Sequence, residues 1–225
     1  MKLCHNCGLR IHPSAIIFDY GQVLCRPQPP ADRAAMADVL QMPAADFDAT
    51  YWRFRLAYDA ADLDAAAYWN KVAQRPLVQD QIDQLTEIDG RSWTHPDEVM
   101  TNWARQLRAA GMRTALLSNM PLPVRQHLDR AGWLPEFDYR LFSCDVHLTK
   151  PGLEIYQLCL RGLGASASDS LFLDDRPENV CAAEALGMHS ILFTTPGELT
   201  SHLDRRFATP APLIATVKSG DEKNL

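Results

Sequence analysis

Asp19, Ser118, Asn119, Lys150 and the pair Asp174-Asp175 are the side chains in this sequence best suited to do chemistry together. Asp19 closes the apolar run Ala15-Ile16-Ile17-Phe18, in AIIFDYGQVLCRP. Ser118-Asn119 follow Thr114-Ala115-Leu116-Leu117, and Asp174-Asp175 follow Ser170-Leu171-Phe172-Leu173 in LFLDDRPENV. Lys150 stands in the loop sequence HLTKPGLEIY. Each alone has an ordinary structural explanation. A lone Asp or Ser after a strand is commonly a turn or helix cap, and a lone Lys is commonly a solvated charge. A carboxylate able to act as a nucleophile, a hydroxyl, an ammonium and an acidic pair, all at successive strand ends, point instead to one crevice with a shared task. Two positions after Asp19, where a second acid would help, stands Gly21.

The elements that position these residues follow from the hydrophobic pattern. Four short apolar runs, Ala15–Phe18, Thr114–Leu117, Ser170–Leu173 and Ser190–Phe193, read as fully buried strands. Between them, Asp97–Ala110 carries apolar residues at 99, 100, 103, 104 and 107, a helical stripe that Gly111 ends. Pro123–Ala131, Leu153–Leu163 and Asn179–Leu186 repeat that arrangement, each with a glycine close behind. Strands alternating with helices predict an α/β fold, a Rossmann-like parallel sheet with helices on both faces.

Residues 27–94 break the alternation. They are rich in Ala and aromatics and helical in pattern, as in YWRFRLAYDAADLDAAAYWNKVA. About 65 residues is too long for a single crossover helix, so a small inserted α-helical cap domain is expected over the carboxyl end of the sheet. In that stretch Trp52, Leu56 and Trp69 are expected to pack the cap. Arg53 and Tyr58 are the expected substrate contacts, an arginine facing the crevice being able to clamp a second anionic group. The expected division is a flexible extension over 1–13, a core over 14–26 and 95–207, the cap over 27–94, and a flexible tail over 208–225. Hinges are expected near Cys25–Pro30 and Trp93–Pro96.

Composition narrows the partners. The chain has 225 residues, 47% apolar and 22% charged, with a formal net charge of −6. That acidic balance, with no basic stripe, argues against a nucleic-acid partner. No apolar run reaches the roughly 18 residues of a membrane span, and the N-terminus lacks the apolar core of a signal peptide, so a cytoplasmic location is expected. The cysteines at 4, 7, 25, 144, 159 and 181 are expected as thiols. Cys4-His5-Asn6-Cys7 is a lone CxxC, weak as a zinc site because such sites usually bring two pairs. The expected assembly is a monomer or homodimer.

The stretches FDYGQVL, LLSNM, TKPGLEIY and FLDDRPENV closely resemble the four motifs of the haloacid dehalogenase-like hydrolase superfamily, over about residues 14–195. The resemblance is nearest to the subfamily with a small helical cap after the first strand, and within it to the glucose-1-phosphate phosphatase-like proteins. It implies a phosphatase that forms an aspartyl-phosphate on Asp19. Ser118, Asn119 and Lys150 would bind the phosphoryl group. Mg²⁺ would be held by Asp19, the Gly21 carbonyl and Asp175, with Asp174 a direct or an outer ligand. The substrate would be a small phosphorylated metabolite, a sugar phosphate or another phosphate with a good leaving group. Most phosphatases of this superfamily carry an acid where this chain has Gly21. Three consequences stay open: a leaving group needing little protonation, a substitute acid such as Tyr58 or Asp59, or a protein that binds without turnover. The rivals are a metal-independent dehalogenase, which the acidic pair 174–175 disfavours, and a catalytically weak binding protein of the same fold.

Overall fold

Ala15-Ile16-Ile17-Phe18 is buried along its whole length and forms the central strand, β1 (Ala15–Phe18), of a five-stranded sheet. The computed structural model describes residues 10–212. The other strands are β2 (Arg113–Ser118), β3 (Tyr139–Phe142), β4 (Ser170–Asp174) and β5 (His189–Leu192). Their order is β3-β2-β1-β4-β5, and every neighbouring pair is parallel. Ten helices complete the described chain: α1 (Pro30–Leu40), α2 (Ala44–Asp59), α3 (Ala65–Ala73), α4 (Gln79–Ser92), α5 (Glu98–Ala109), α6 (Leu122–Ala131), α7 (Ser143–Val146), α8 (Leu153–Leu163), α9 (Pro177–Ala185) and α10 (Pro196–Arg206). No described helix is long and apolar enough to cross a membrane.

Side chains alternate across a strand, so β1 feeds two cores. Ile16 and Phe18 pack with Met100, Trp103 and Leu107 of α5, Leu128 of α6 and Leu203 of α10. Ala15 and Ile17 face Ile155, Tyr156 and Cys159 of α8 and Ala183 of α9. Helices therefore cover both faces, as the alternating pattern predicts. Two elements lay outside that pattern. β3 is a short edge strand whose first residues, Tyr139 and Arg140, are not buried. α10 is mostly polar, burying only Leu199 and Leu203, and its start is marked by Thr195, which accepts from the Glu198 N–H at 3.2 Å.

Helices α1–α4 lie between β1 and α5 and enclose a core of their own, with Met36, Phe47, Tyr51, Tyr68, Trp69 and Leu85 at its centre. The expected packing holds for Trp69 and fails for Trp52 and Leu56, which are 47% and 48% exposed. The helical period explains the difference. Phe47, Tyr51, Arg55 and Tyr58 form the buried stripe of α2, and Trp52 and Leu56 sit one position off it.

The two chain crossings into this helical unit run side by side. Arg26 N donates to His95 O at 2.7 Å, Asp97 N donates to Leu24 O at 2.8 Å, and Cys25 bridges Pro96 in antiparallel fashion. Elsewhere α4 rests on α6 at Gly90, where a Cβ would come within 2.2 Å of the His127 ring, so only glycine permits the approach.

Both chain ends depart from the expected boundaries. Ile11 N donates to Arg206 O at 2.8 Å and Ala208 N donates to Ile11 O at 2.8 Å. Pro13 is buried, and Trp103 Nε1 donates to the carbonyl of the buried Ala211 at 3.1 Å. Residues 11–13 and 208–211 thus belong to the packed structure, because Phe207 and Ala211 complete the Trp103 side of the core. Cys4, Cys7 and the rest of the expected extension, and the tail beyond 212, lie outside the described residues.

Candidate active site

Parallel strands that leave a sheet in opposite directions open a crevice at their carboxyl ends. Here that point lies at β1, which has β2 on one side and β4 on the other. Asp19 continues β1 by one residue, its N–H donating to Leu173 O at 2.9 Å. Ser118 ends β2 and Asp174 ends β4. Asp19, Gly21, Ser118, Asn119, Lys150 and Asp175 line one crevice. Asp174 lies beneath it, fully buried.

The centre of the site is an ammonium between two carboxylates. Lys150 Nζ is 2.6 Å from Asp19 Oδ1 and 2.6 Å from Asp174 Oδ2. Burial by itself lowers the Lys150 pKa, but Asp174 and Asp19 outweigh it and raise the pKa, so the ammonium stays charged. Burial pushes Asp19 up to about 7, Lys150 pulls it down, and the neighbouring Asp174 adds to the rise. Burial and then Asp174 push Asp175 up to about 6.

Asp174 has no free oxygen. Oδ1 accepts from the Arg176 N–H and Asn179 Nδ2, both at 2.9 Å, and Oδ2 accepts from Lys150 and again from Asn179 at 3.0 Å. Asp175 is half-buried and accepts from Gln22 Nε2 at 2.6 Å. Among the described residues no donor reaches the Gly21 carbonyl oxygen. One oxygen each of Asp19, Asp174 and Asp175 lie within 4.8 Å of one another. An all-oxygen, acidic donor set of this kind suits a hard divalent cation. Asp19 has a second oxygen that Lys150 does not hold, Asp175 is the least engaged of the three carboxylates, and Gly21 lines the same crevice.

Asn119 is placed differently from its expected contact with substrate. Its Nδ2 donates to Lys150 O and its Oδ1 accepts from Lys150 N, both at 2.9 Å. The amide is used at both ends to hold the lysine. Ser118 is buried at the end of β2, and among the described residues its hydroxyl makes only a long contact to Asn119 O at 3.5 Å.

The two expected insertion contacts are not in the crevice. Tyr58 is buried in the helical unit, stacked on Tyr68 with centroids 4.2 Å apart. Arg53 is exposed and lies over the Phe54 ring. The insertion instead presents Trp52, Arg55, Asp59 and Trp93. Arg55 is not a free clamp. Its Nε donates to Asp59 Oδ1 at 2.8 Å, and its Nη1 donates to both oxygens of Asp89 at 3.1 Å and to the Tyr51 hydroxyl. Trp93 lies over Gly21, and a Cβ there would meet its ring at an ordinary 3.5 Å. The signals for these residues were present but ambiguous. Arg55 and Asp59 are an i, i+4 pair on a helix, and a surface pair has the same spacing. Trp93 follows the last helix of the insertion and reads as a linker residue.

Known proteins align with this arrangement. Part of the chain is 35% identical to acyl-CoA dehydrogenase family member 10 from Mus musculus, over 51% of this chain and 11% of that protein. It is 34% identical to the sesquiterpene phosphatase astK from Aspergillus oryzae, over 44% of this chain and 51% of that one. The chain therefore spans at most about half the length of these relatives. Among solved structures, the HAD family enzyme bt-2542 from Bacteroides thetaiotaomicron superposes with a TM-score of 0.67 at 18% identity, covering 88% of this chain and 100% of that one. Its complex with magnesium and inorganic phosphate gives 0.62 at 16% identity, over 82% and 94%. The L-2-haloacid dehalogenase RSc1362 gives 0.57 at 20% identity, over 81% and 86%. At such identities these structures speak for the fold alone. The family match spans the strand ends themselves: residues 13–187 fit the haloacid dehalogenase-like hydrolases, and this chain belongs to that family of hydrolases.

Proposed function

We propose that the chain is a Mg²⁺-dependent phosphatase that hydrolyses a small phosphorylated metabolite through an aspartyl-phosphate on Asp19. The observation that carries this reading is the buried ammonium of Lys150, 2.6 Å from Asp19 and from Asp174, beside a third carboxylate. Three carboxylates approached by a phosphate dianion repel it, and one lysine cannot offset them all. Mg²⁺ would supply the missing positive charge, held by Asp19, the Gly21 carbonyl and Asp175. Asp174, with all its oxygens engaged, takes the outer place and orients Lys150.

In this reading Asp19 attacks phosphorus in line, so that one hard displacement becomes two easier ones. Lys150 and the Ser118 hydroxyl steady charge on the transferring group. The partial match to a sesquiterpene phosphatase supports phosphoryl chemistry over C–halogen cleavage. The acidic cluster supports it independently. The helical unit would act as a cap, as in the helical-cap branch and its glucose-1-phosphate phosphatase-like members, whose first motif also tolerates glycine.

Arg55 does not serve as a second anion clamp here. Its charge is matched by Asp59 and Asp89, and Trp52 and Trp93 form the nearby wall.

Phosphate release from a panel of phosphomonoesters, with Mg²⁺, with chelator and with Asp19→Asn, tests the reading. Release that needs both Mg²⁺ and Asp19 supports it. Halide release from 2-haloacids, unaffected by chelator, would replace it with the dehalogenase reading.

A further inference from the structure

Of the two substitute acids offered by the sequence, Tyr58 is buried against Tyr68 away from the crevice and Asp59 lines it. Asp59 ends α2, is 7% exposed, and reaches the crevice from the insertion side. Its Oδ1 accepts from Arg55 Nε. Among the described residues no donor reaches Oδ2. Arg55 is itself fixed by Asp89 and Tyr51, so the carboxylate it holds has one orientation. The backbone is fixed as well. Ser143 Oγ donates to Asp59 O at 2.6 Å and accepts from Met120 N at 3.0 Å. Asp59 is thereby tied to the loop that follows Ser118, although it sits on the insertion. Gly21, which lines the same crevice, offers no side chain.

We propose that Asp59 donates and accepts the proton in this hydrolysis, the role that no side chain at position 21 can fill. This rests on the phosphatase reading. In the first step the Asp19 carboxylate forms an O–P bond as the P–O bond to the leaving group breaks, and the departing oxygen takes the proton from Asp59. In the second, water attacks phosphorus, Asp59 takes the water proton, and the Asp19–phosphorus bond breaks to release inorganic phosphate. The water supplies one hydrogen to the alcohol and the rest to phosphate, and both carboxyl groups return to their starting states.

The surroundings favour that role. Burial pushes Asp59 up to about 6, while Arg55 pulls it down, Asp89 raises it and Arg176 lowers it. The other titratable groups nearby, Tyr51, Tyr58 and the Cys144 thiol, are all pushed upward and stay neutral near pH 7. An acid poised close to neutral pH can both give and take a proton.

The test uses the full chain with Mg²⁺ and compares p-nitrophenyl, phenyl and alkyl phosphates. Wild-type release that depends on Asp19 establishes the phosphatase; no release from any ester would overturn that reading and this one with it. Given release, Asp59→Asn is expected to lower kcat/KM for alkyl phosphates about 100-fold or more, with kcat/KM for p-nitrophenyl phosphate nearly unchanged, while hydrolysis of the shared aspartyl-phosphate slows for all three. The fall in kcat/KM for alkyl phosphates as pH rises, where Asp59 loses the proton it must donate, should go with it. Adding Gly21→Asp to Asp59→Asn should restore much of the loss, since a side chain at 21 meets only ordinary contact with Trp93. An equal loss of kcat/KM for all three esters, or a rise in KM with kcat kept, would overturn the proposal. If Asp59→Asn does not fold, Gly21→Asp alone decides. Little gain on alkyl phosphates supports an acid already in place, and a gain of 100-fold overturns it.

Discussion

Asn119 grips Lys150 by its backbone, accepting from its N–H and donating to its carbonyl, each at 2.9 Å. The lysine is thus held at both the main chain and the ammonium, where Asp19 and Asp174 flank it. Asn119→Ala leaves buried backbone groups without partners, at a cost of about 1–3 kcal/mol in stability. A lysine freed to shift by a fraction of an ångström also loses its alignment with both carboxylates. The expected outcome is a fall in kcat of about tenfold or more with KM little changed. Urea unfolding and steady-state kinetics on one preparation check both parts, and an active variant with unchanged kcat would refute the positioning role.

A cation that binds only the folded chain stabilises it. At a concentration 100-fold above its Kd the gain is about 2.7 kcal/mol, which for a chain of this size raises Tm by roughly 5–10 °C. Mg²⁺ is expected to give such a shift, and chelator to reverse it. Asp175 has the freest carboxylate of the three. Asp175→Asn should abolish most of the shift without lowering Tm in chelator. An equal shift in wild type and variant, followed by thermal unfolding, would place the cation elsewhere.

Trp52 is 47% exposed and meets the Trp93 ring edge-on, with centroids 6.4 Å apart. A large apolar side chain left open at the mouth of a crevice is suited to contact with a ligand. Trp52→Ala is expected to raise KM several-fold for the best substrate, with kcat and stability almost unaffected, since exposed positions rarely move stability by more than about 0.5 kcal/mol. Kinetics and unfolding of the variant decide between this and a packing role, which would lower stability instead.

The convergence of residues at the strand ends was legible because it depends on local rules. A buried run followed by a polar residue places that residue at the rim of the sheet, and the parallel order then brings Asp19, Ser118 and Asp174 together. The insertion was legible as helices but not as a surface. Arg53 and Arg55 look alike in sequence, yet the helical phase of α2 turns Arg55 inward and leaves Arg53 outside. Asp89, which holds Arg55, lies 34 residues away, and no local pattern reveals such a partner. Edge strand β3 and polar helix α10 were missed for a related reason: each buries few side chains, so its hydrophobic period is faint. Asn179, which holds Asp174, reads only as a residue opening a helix.

Asp59 also makes stability depend on pH in a direction that can be worked out. Its carboxyl titrates near 3.8 in an unfolded chain and is pushed up to about 6 in the fold, chiefly by burial. Between those values the folded chain binds a proton that the unfolded chain has lost. Stability from this group is therefore full below pH 4 and is lost as pH rises through about 6. The size is on the order of 3 kcal/mol. Asp19 and Asp175 are also pushed up, so the wild-type curve alone does not isolate Asp59. The difference between Asp59→Asn and wild type does, because asparagine has nearly the shape of the protonated acid. That difference should be near zero at pH 4 and favour the variant by a few kcal/mol at pH 7. A fold that keeps a destabilising ionisable group in its crevice at neutral pH fits a group retained for chemistry. Urea unfolding of both proteins from pH 4 to 8 reads the difference, and one that stays flat across that range would sink the assignment.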